Sequence, residues 1–415
     1  MKTSRFSPGW LAATAMACCS FNALAADPVK IAFIDVLSGP FAAAGVGSLQ
    51  QLREVVLQVN AKSGPNDPKF EVVPFDNKGS PQESATVLKA ASDQGIRYIT
   101  QGGGSGVAFA LVDSINKMAE REPKLATVYL NYSAMDPGLT NDRCSFWHFR
   151  FYPSSEMQME GLTSYMKGKP EIKKVFLFNQ NYTHGQQVSR AAREYLARKR
   201  PDIQIVGDDF VPIAQVKDFA PYIAKIKSSG ADTVITSNWG SDLGLMFKAA
   251  RDAALDVKIY TLNANNPGIP SQLGAYGAGK VAVIWNSGSN VGAPELEKLA
   301  ASYRKKYNED FIFTAHWNGI HMLLDAMRRA KSTDAKAVAF ALEGATFKSP
   351  LGEVEMRKTD HQLQSPIFLG VWDKQDGKRV KYDSEGTGYG FRSEAVWDSY
   401  ISAQPTSCQM KRPTN

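Results

Sequence analysis

Between residues 98 and 112 the chain reads YITQGGGSGVAFALV. A strand-like apolar run ends at Thr100, three glycines and Ser105 follow, and a helical apolar pattern then begins. A glycine loop between a strand and a helix brings backbone N–H groups to one place, and the first helical turn adds donors that lack an intrahelical acceptor. The helix macrodipole favours negative charge at the same end. The chemistry offered is recognition of an anion, with Gly102 to Gly104 letting the backbone come close and Gly104 and Gly106 flanking Ser105. A plain strand-to-helix turn with Ser105 as N-cap is the alternative. A nucleotide fits poorly: no Lys-Ser/Thr pair follows the glycines, and GGGSGV does not match G-x-G-x-x-G.

Little else points to catalysis. His316 and His321 are five apart on an expected helix, so they do not share a face as an i, i+4 zinc pair does. There is no H-E-x-x-H motif, no paired-cysteine metal spacing and no G-x-S-x-G elbow before a helix. His148 lies in the aromatic-rich stretch FWHFRFY (146–152), where core packing is the default. No cofactor motif and no metal site are expected.

The N-terminus sets the compartment. Lys2 and Arg5 precede a short apolar run from Trp10 to Cys19, and Ala23-Leu24-Ala25 supplies small residues for cleavage. A run of that length cannot span a bilayer, so residues 1–25 are expected to be a signal peptide cleaved after Ala25, leading to the periplasm. A lipoprotein cysteine at Cys18 or Cys19 is the weaker alternative, because Ala15-Met16-Ala17 lacks the usual leucine. Removing 25 residues from 415 leaves 390, and removing two basic residues takes the net charge from +7 to +5. That length implies two domains. The one dense basic run, ARKRP near 198, reads as a solvated helix end, so no nucleic-acid partner is expected. Of four cysteines, Cys144 and Cys408 remain, and an oxidising compartment favours a disulfide between them over two separate buried thiols.

Strands and helices alternate along the chain in two sets. VKIAFIDV (29–36), KFEVVPFDN, RYITQ and LATVYLN read as strands separated by helices, and KKVFLFN (173–179), IQIVGDDFV, DTVITSN and VKIYTLN repeat the pattern. The expected fold is α/β, with two doubly wound parallel-sheet lobes and a cleft between them. Crossings between lobes are expected near 148–152, 285–290 and 347–352. These give lobe 1 as 26–149 plus 287–349, and lobe 2 as 150–286 plus 350–415 with the C-terminal tail.

The stretches VKIAFIDVLSGPFAAAGVGSLQQLREVVLQVNAKSG, PFDNKGSPQESATVLKAASDQGIRYI, FRFYPSSEMQMEGLTSYM and DTVITSNWGSDLGLMFKAARDAAL, in this order, carry a resemblance. The sequence resembles type I periplasmic solute-binding proteins of ABC importers, of the branched-chain amino acid (Leu/Ile/Val-binding) class. The resemblance implies a three-crossing hinge, a monomer that closes on a small ligand, and permease subunits in the membrane as partners. It implies that Ser105 receives the ligand carboxylate and that Ser133, Ala134 and Met135 form a second ligand loop. On the other lobe it implies His184, where a tyrosine is usual, and Trp239, with Phe41 on the first loop. Amino-acid binders of the class carry an acid in the loop after VKIYTLN, but Asn263 stands at that place. A buried ammonium without an anion is costly. The expected ligand is therefore a small carboxylate without an ammonium, an aromatic acid by preference, with its ring against Trp239 and Phe41 and a distal polar group near His184 and Asn263. Asp136 and Asp242 are the acids that would have to replace the missing one. A branched-chain amino acid or short amide is the alternative ligand. An exported α/β enzyme and a ligand sensor of the same fold are the alternative functions.

Overall fold

The computed structural model describes Met1, Thr3 and residues 27–413; the expected signal peptide and its cleavage site lie outside the described residues, Met1 and Thr3 aside. The first lobe is a sheet of β1 (Val29–Asp35), β2 (Phe70–Asp76), β3 (Tyr98–Gln101), β4 (Val128–Asn131) and β5 (His148–Arg150) in the order β2-β1-β3-β4-β5. All its pairs are parallel. Helices α1 (Ala42–Lys62), α2 (Pro81–Asp93) and α3 (Ser105–Arg121) connect the strands. Ile31 to Ile34 of β1 are fully buried, as continuous apolar strands must be when helices cover both faces. The start of α2 follows its sequence signals: Ser80 Oγ accepts from Glu83 N at 3.3 Å, and Pro81 takes the first helical position.

The second lobe begins with α4 (Ser155–Lys167) and runs through β6 (Lys174–Gln180), α5 (Thr183–Lys199), β7 (Gln204–Val211), α6 (Ala220–Ser228) and β8 (Thr233–Thr236). It continues with α7 (Gly240–Asp252), β9 (Lys258–Thr261), the short α8 (Pro270–Leu273) and β10 (Val281–Trp285). The chain then returns to the first lobe with α9 (Pro294–Tyr307), α10 (Thr314–Ala330) and α11 (Ala335–Leu342). His316 on α10 bonds Ser48 on α1 at 2.7 Å, and the Tyr98 hydroxyl donates to Thr333 O at 2.6 Å. Lys306 on α9 pairs with Glu54 on α1 at 2.6 Å.

The remaining strands divide differently from expectation. β11 (Thr346–Ser349), β12 (Gly352–Met356) and β13 (Leu363–Gln364) form a separate antiparallel sheet. Only Pro350 and Leu351 separate β11 from β12, so β12 must fold back on β11 and stay beside α11. Gln362, the residue before β13, forms an isolated bridge with Arg150 of β5. The third crossing therefore falls after β13, near 365–366, rather than at 347–352. Beyond it, β14 (Ile367–Lys374) and β15 (Tyr389–Trp397) add antiparallel strands to the second sheet, whose order is β15-β14-β10-β9-β8-β6-β7.

The C-terminal tail departs from the expected division as well. Thr406 Oγ1 donates to Thr140 O at 2.6 Å, Ser407 N donates to Asn141 Oδ1 at 2.9 Å, and Arg412 pairs with Glu343 at 2.7 Å. Each partner belongs to the first lobe. Cys144 and Cys408 are joined in a disulfide, the pairing the compartment argument favours. The tail is thus a fourth passage between the lobes, with its far end covalently fixed.

The disulfide closes a loop of 264 residues. Replacing both cysteines by serine is expected to cost about 2–4 kcal/mol of stability, read as a lower denaturant midpoint, and reductant should produce the same shift in the unaltered protein.

Candidate functional site

The loops at the C-terminal ends of the parallel strands face one another across the cleft, which is where open α/β sheets bind ligands. The lining includes Gly104, Ser105, Ser133, Ala134 and Met135 from the first lobe, and His184, Trp239 and Asn263 from the second. Eight of the ten residues expected from the sequence therefore meet around one cavity. Phe41 and Gly106 are not part of its lining.

The glycine loop does bind an anion, and the anion belongs to the chain. Asp35, at the end of β1, accepts Gly102 N at 2.9 Å, Gly103 N at 3.0 Å and the Tyr132 hydroxyl at 2.7 Å on one oxygen, and Val36 N at 2.7 Å on the other. A Cβ at Gly103 would stand 2.2 Å from Asp35 Oδ1, so the close approach requires glycine there. Asp35 is fully buried, and no ion pair among the described residues includes it. Burial pushes its carboxyl above the usual range, against four hydrogen bonds that favour the charged form. Tyr132 carries the network further: its ring lies 4.3 Å from that of His316, which in turn bonds Ser48.

Asp35 leaves part of the helix terminus free. Gly104, not Ser105, is the N-cap of α3, and Ser105 is its first helical residue. Ala108 N makes the first backbone bond of the helix, to Gly104 O. The amides of Ser105, Gly106 and Val107 precede it and have no acceptor among the described residues. Ser105 Oγ accepts from Asp136 N at 3.2 Å, which fixes the hydroxyl at the cavity wall. In the neighbouring loop, Asn131 Oδ1 takes the amides of Ser133 and Ala134 at 3.1 and 2.7 Å, so neither is offered to a ligand.

The second lobe supplies polar atoms without partners. His184 is 1 % exposed, and neither ring nitrogen has a hydrogen bond among the described residues. Desolvation pushes this imidazole down to about 4, so it is neutral at pH 7 and presents one donor and one acceptor. Trp239 Nε1 lies near the Tyr182 hydroxyl, but no partner meets hydrogen-bond geometry. The Asn263 amide donates to Ser237 O at 2.9 Å and Asn238 O at 3.3 Å, so its NH2 is spent on the loop; its Oδ1 accepts from Asn266 Nδ2 at 3.5 Å and keeps one further lone pair. Neither candidate replacement acid is part of the cavity lining, although Asp242 Oδ1 has no partner among the described residues. Asp242 accepts from Gln180 Nε2 at 2.7 Å and Ala214 N at 2.9 Å, and Asp136 accepts from Gly138 N at 2.9 Å.

Phe41 and Trp239 meet directly. Their rings stack across the cleft at 4.1 Å, so no ligand ring can lie between them, contrary to the expected sandwich. Phe41 closes the outside of the site instead. The cavity volume is about 40 Å³. With about 10–15 Å³ needed per water, that is room for about three waters, so a larger occupant requires side chains to part.

Sequence reasoning missed Asp35, Tyr132, Tyr182, Asn266 and Phe313 in the lining. Asp35 carried a signal: it is the one acid in the apolar run VKIAFIDV, and buried acids need a reason.

Two lobes of this topology, closing on a cavity at their strand ends, define a solute-binding protein. The chain matches the family described as periplasmic binding protein over residues 28–378, and it belongs to that family. It is 30% identical over 426 aligned residues to Leu/Ile/Val-binding protein homolog 4 of Brucella abortus (strain 2308), covering 100% of both chains. The closed conformation of the leucine-, isoleucine-, valine-, threonine-, and alanine-binding protein from Brucella ovis superposes with a TM-score of 0.83 at 30% identity, over 94% of this chain and 100% of that one. A solute binding protein of an ABC transporter from Rhodopseudomonas palustris BisB5, in complex with 3,4-dihydroxy benzoic acid, shares the fold, with a TM-score of 0.76 at 16% identity over 90% and 98% of the two chains. The protein is a solute-binding component of an ABC transporter, of the branched-chain amino acid class. Family members bind a small molecule and deliver it to ABC permeases.

Gly240 has φ of +59°, and a Cβ there would stand 1.9 Å from Phe41 Cδ1. Gly240→Ala is therefore expected to hold the lobes apart and weaken ligand binding at least about tenfold, or about 1.4 kcal/mol, as read by calorimetry. The neutral histidines give an acid limit. The folded values of His184 and His316, about 4 and about 3, lie below the ordinary 6.5, so folding disfavours their protonated forms. Their contribution is complete above pH 6.5 and is lost as pH falls toward 4, by up to about 3 kcal/mol each. Thermal melts from pH 7 to pH 4 should show that decline, and His184→Gln should flatten it.

Proposed function

We propose that the chain captures a small carboxylate, by preference an aromatic acid with a distal hydroxyl, as a periplasmic monomer and hands it to its permease. The observation that carries this reading is the distribution of charge around the cavity. The first turn of α3 offers amides to an anion, while the opposite wall has Asn263 where an ammonium would need an acid. The only acid in the lining is Asp35, whose oxygens are already held by four donors. An ammonium in that wall would lack a carboxylate in contact, at a cost of several kcal/mol.

The other walls suit an aromatic body. Tyr132, Tyr182, Trp239 and Phe313 line the cavity, and a ring against one of them gains about 0.5–1.5 kcal/mol beyond burial. His184 and Asn263 Oδ1 suit a hydroxyl far from the carboxylate, since together they offer a donor and two acceptors. The Rhodopseudomonas palustris relative bound to 3,4-dihydroxy benzoic acid has a ligand of this design. The ligand joins the lobes because Ser105 stands on one and His184, Trp239 and Asn263 on the other; closing is favoured only to the extent that both are touched.

Titration calorimetry and thermal shift with 4-hydroxybenzoate, benzoate, 4-hydroxybenzamide and leucine decide the matter. The expected order of affinity is 4-hydroxybenzoate, then benzoate, with the amide and leucine at least about a hundredfold weaker, or about 2.7 kcal/mol. Binding of leucine alone would identify the ligand as the amino acid named for the Brucella relatives and remove this reading.

A further inference from the structure

The cleft wall contains a carboxylate with no counter-ion. Asp35 is fully buried, its four partners are neutral donors, and it shares one loop with the amides offered to the ligand. Gly103 N serves Asp35, and Ser105 N, two residues on, is free. Those two amides stand at most about 7 Å apart. A carboxylate ligand at α3 therefore brings a second negative charge to a terminus already shared with the first. Two carboxylates in one buried site repel, and each raises the other's affinity for a proton. A ligand unsupported by any acid in the second lobe, held by amides and by His184, is not the one that takes that proton.

We propose that Asp35 is a specificity-determining positioning residue that takes up one proton from solvent when a carboxylate binds. This rests on the reading of the ligand as a carboxylate. The balance is simple: the Asp35 carboxylate and a solvent proton become a carboxylic acid, and no other bond changes. The acid needs an acceptor for its new O–H, and the Tyr132 hydroxyl, which now donates to Asp35 Oδ2, is within reach. Ser48, which bonds His316 at 2.7 Å, also faces the Tyr132 hydroxyl. The groups facing Asp35 do not offer another carrier. Asp76, its register partner on β2, accepts Leu37 N and Lys78 N and is held below the usual range. Tyr129 and Tyr132 are raised well above theirs, and His316 lies at about 3. α1 contributes Ser48, and the first turn of α3 contributes only backbone. Across the cleft the titratable groups in the lining are His184 and Tyr182, and burial raises the Tyr182 hydroxyl well above its usual value.

The sign follows from linkage. A bound anion raises the value of Asp35 in the complex above that in the free protein. Affinity is then highest below the free value and falls as pH rises toward the complex value, by up to tenfold per pH unit. A neutral amide of the same shape has no such dependence.

The experiment is calorimetry on the whole protein between pH 5.5 and 8, in buffers of different ionisation enthalpy, with 4-hydroxybenzoate and 4-hydroxybenzamide as probes. The expected result is uptake of up to one proton with the acid and none with the amide. Asp35→Asn should abolish the uptake; His184→Gln, which weakens binding of the distal hydroxyl, should keep the same uptake per ligand bound. Because asparagine places an N–H against Val36 N, Tyr132→Phe is the second variant; it removes one donor that favours the charged form and should move the uptake window to higher pH. Binding of the acid without proton uptake anywhere in this range overturns the inference and leaves the carboxylate reading intact. Uptake that survives Asp35→Asn and disappears in His184→Gln also overturns it. Failure of the acid to bind at all removes the carboxylate reading and the inference together.

Discussion

A buried carboxylate satisfied only by neutral donors is the constraint on which the site depends. Asp35 pins the glycine loop to the end of β1, and that loop sets the entry of α3. Gly102 and Gly103 N–H groups turn inward to Asp35, and the next amides are left directed at the cleft. Without the acid, the loop would have two buried donors to satisfy, each costing about 1–3 kcal/mol. Without the glycine at 103, the carboxylate could not approach. The arrangement therefore couples the core of the first lobe to the chemistry of its surface: the same short segment finishes a strand, satisfies a buried charge and begins a binding site.

The second constraint is closure. Phe41 rides on the first loop of one lobe and Trp239 stands at the N-cap of α7 on the other. Their stack and the open face of Gly240 allow the lobes to meet without a side chain between them. A stack of this kind is worth on the order of 1 kcal/mol, which is small beside a ligand that bridges both lobes. The balance therefore leaves the ligand in control of the conformational equilibrium, as population shift demands: only differential contact with the closed form moves it. Around the hinge, the passages at 151–154, 286–293, 365–366 and the tail differ in kind. Arg150, fully buried at the first of them, donates to Asp136 O at 2.6 Å and to Gln362, and burial lowers it to about 10. Asp136 in turn donates its own amide to Ser105 Oγ. The hinge and the carboxylate end of the site are thus two bonds apart.

Much of this was legible in the sequence, and the parts that were not have a common cause. Alternation of strand and helix located both sheets, because each unit is built from local periodicity. The glycine loop announced an anion site because its signal lies within a few residues. Cys144 and Cys408 could be paired because only two cysteines follow the signal-like segment. Local signals did not say which anion the loop holds, because Asp35 lies 67 residues from Gly102. Nor did they show that Phe41 would stack on Trp239, which depends on how far the lobes close. The fate of 352–364 was legible in principle: a two-residue connection to β11 forces antiparallel pairing, but the crossing expected at 347–352 assigned that segment to the second lobe. The tail was illegible, since a polar segment without periodicity is placed by its partners, here Thr140, Asn141 and Glu343.

Relatives named for branched-chain amino acids and a relative holding a dihydroxybenzoic acid share one architecture, so the fold does not choose the ligand. Charge in the walls does. A zwitterion needs an anion-binding end and a cation-binding end. This cavity has the first, from the amides of α3, and replaces the second with the neutral His184 and an asparagine whose amide is already committed. The one acid in the lining, among the described residues, stands away from Asn263, beside the free amides of α3. An acid on the near wall and none on the far wall changes what the site tolerates: it gives an ammonium no support at Asn263, and on the proposed reading it repels a bound carboxylate unless a proton is taken up. Specificity is a difference between affinities, and here that difference arises less from new contacts than from where a single carboxylate resides.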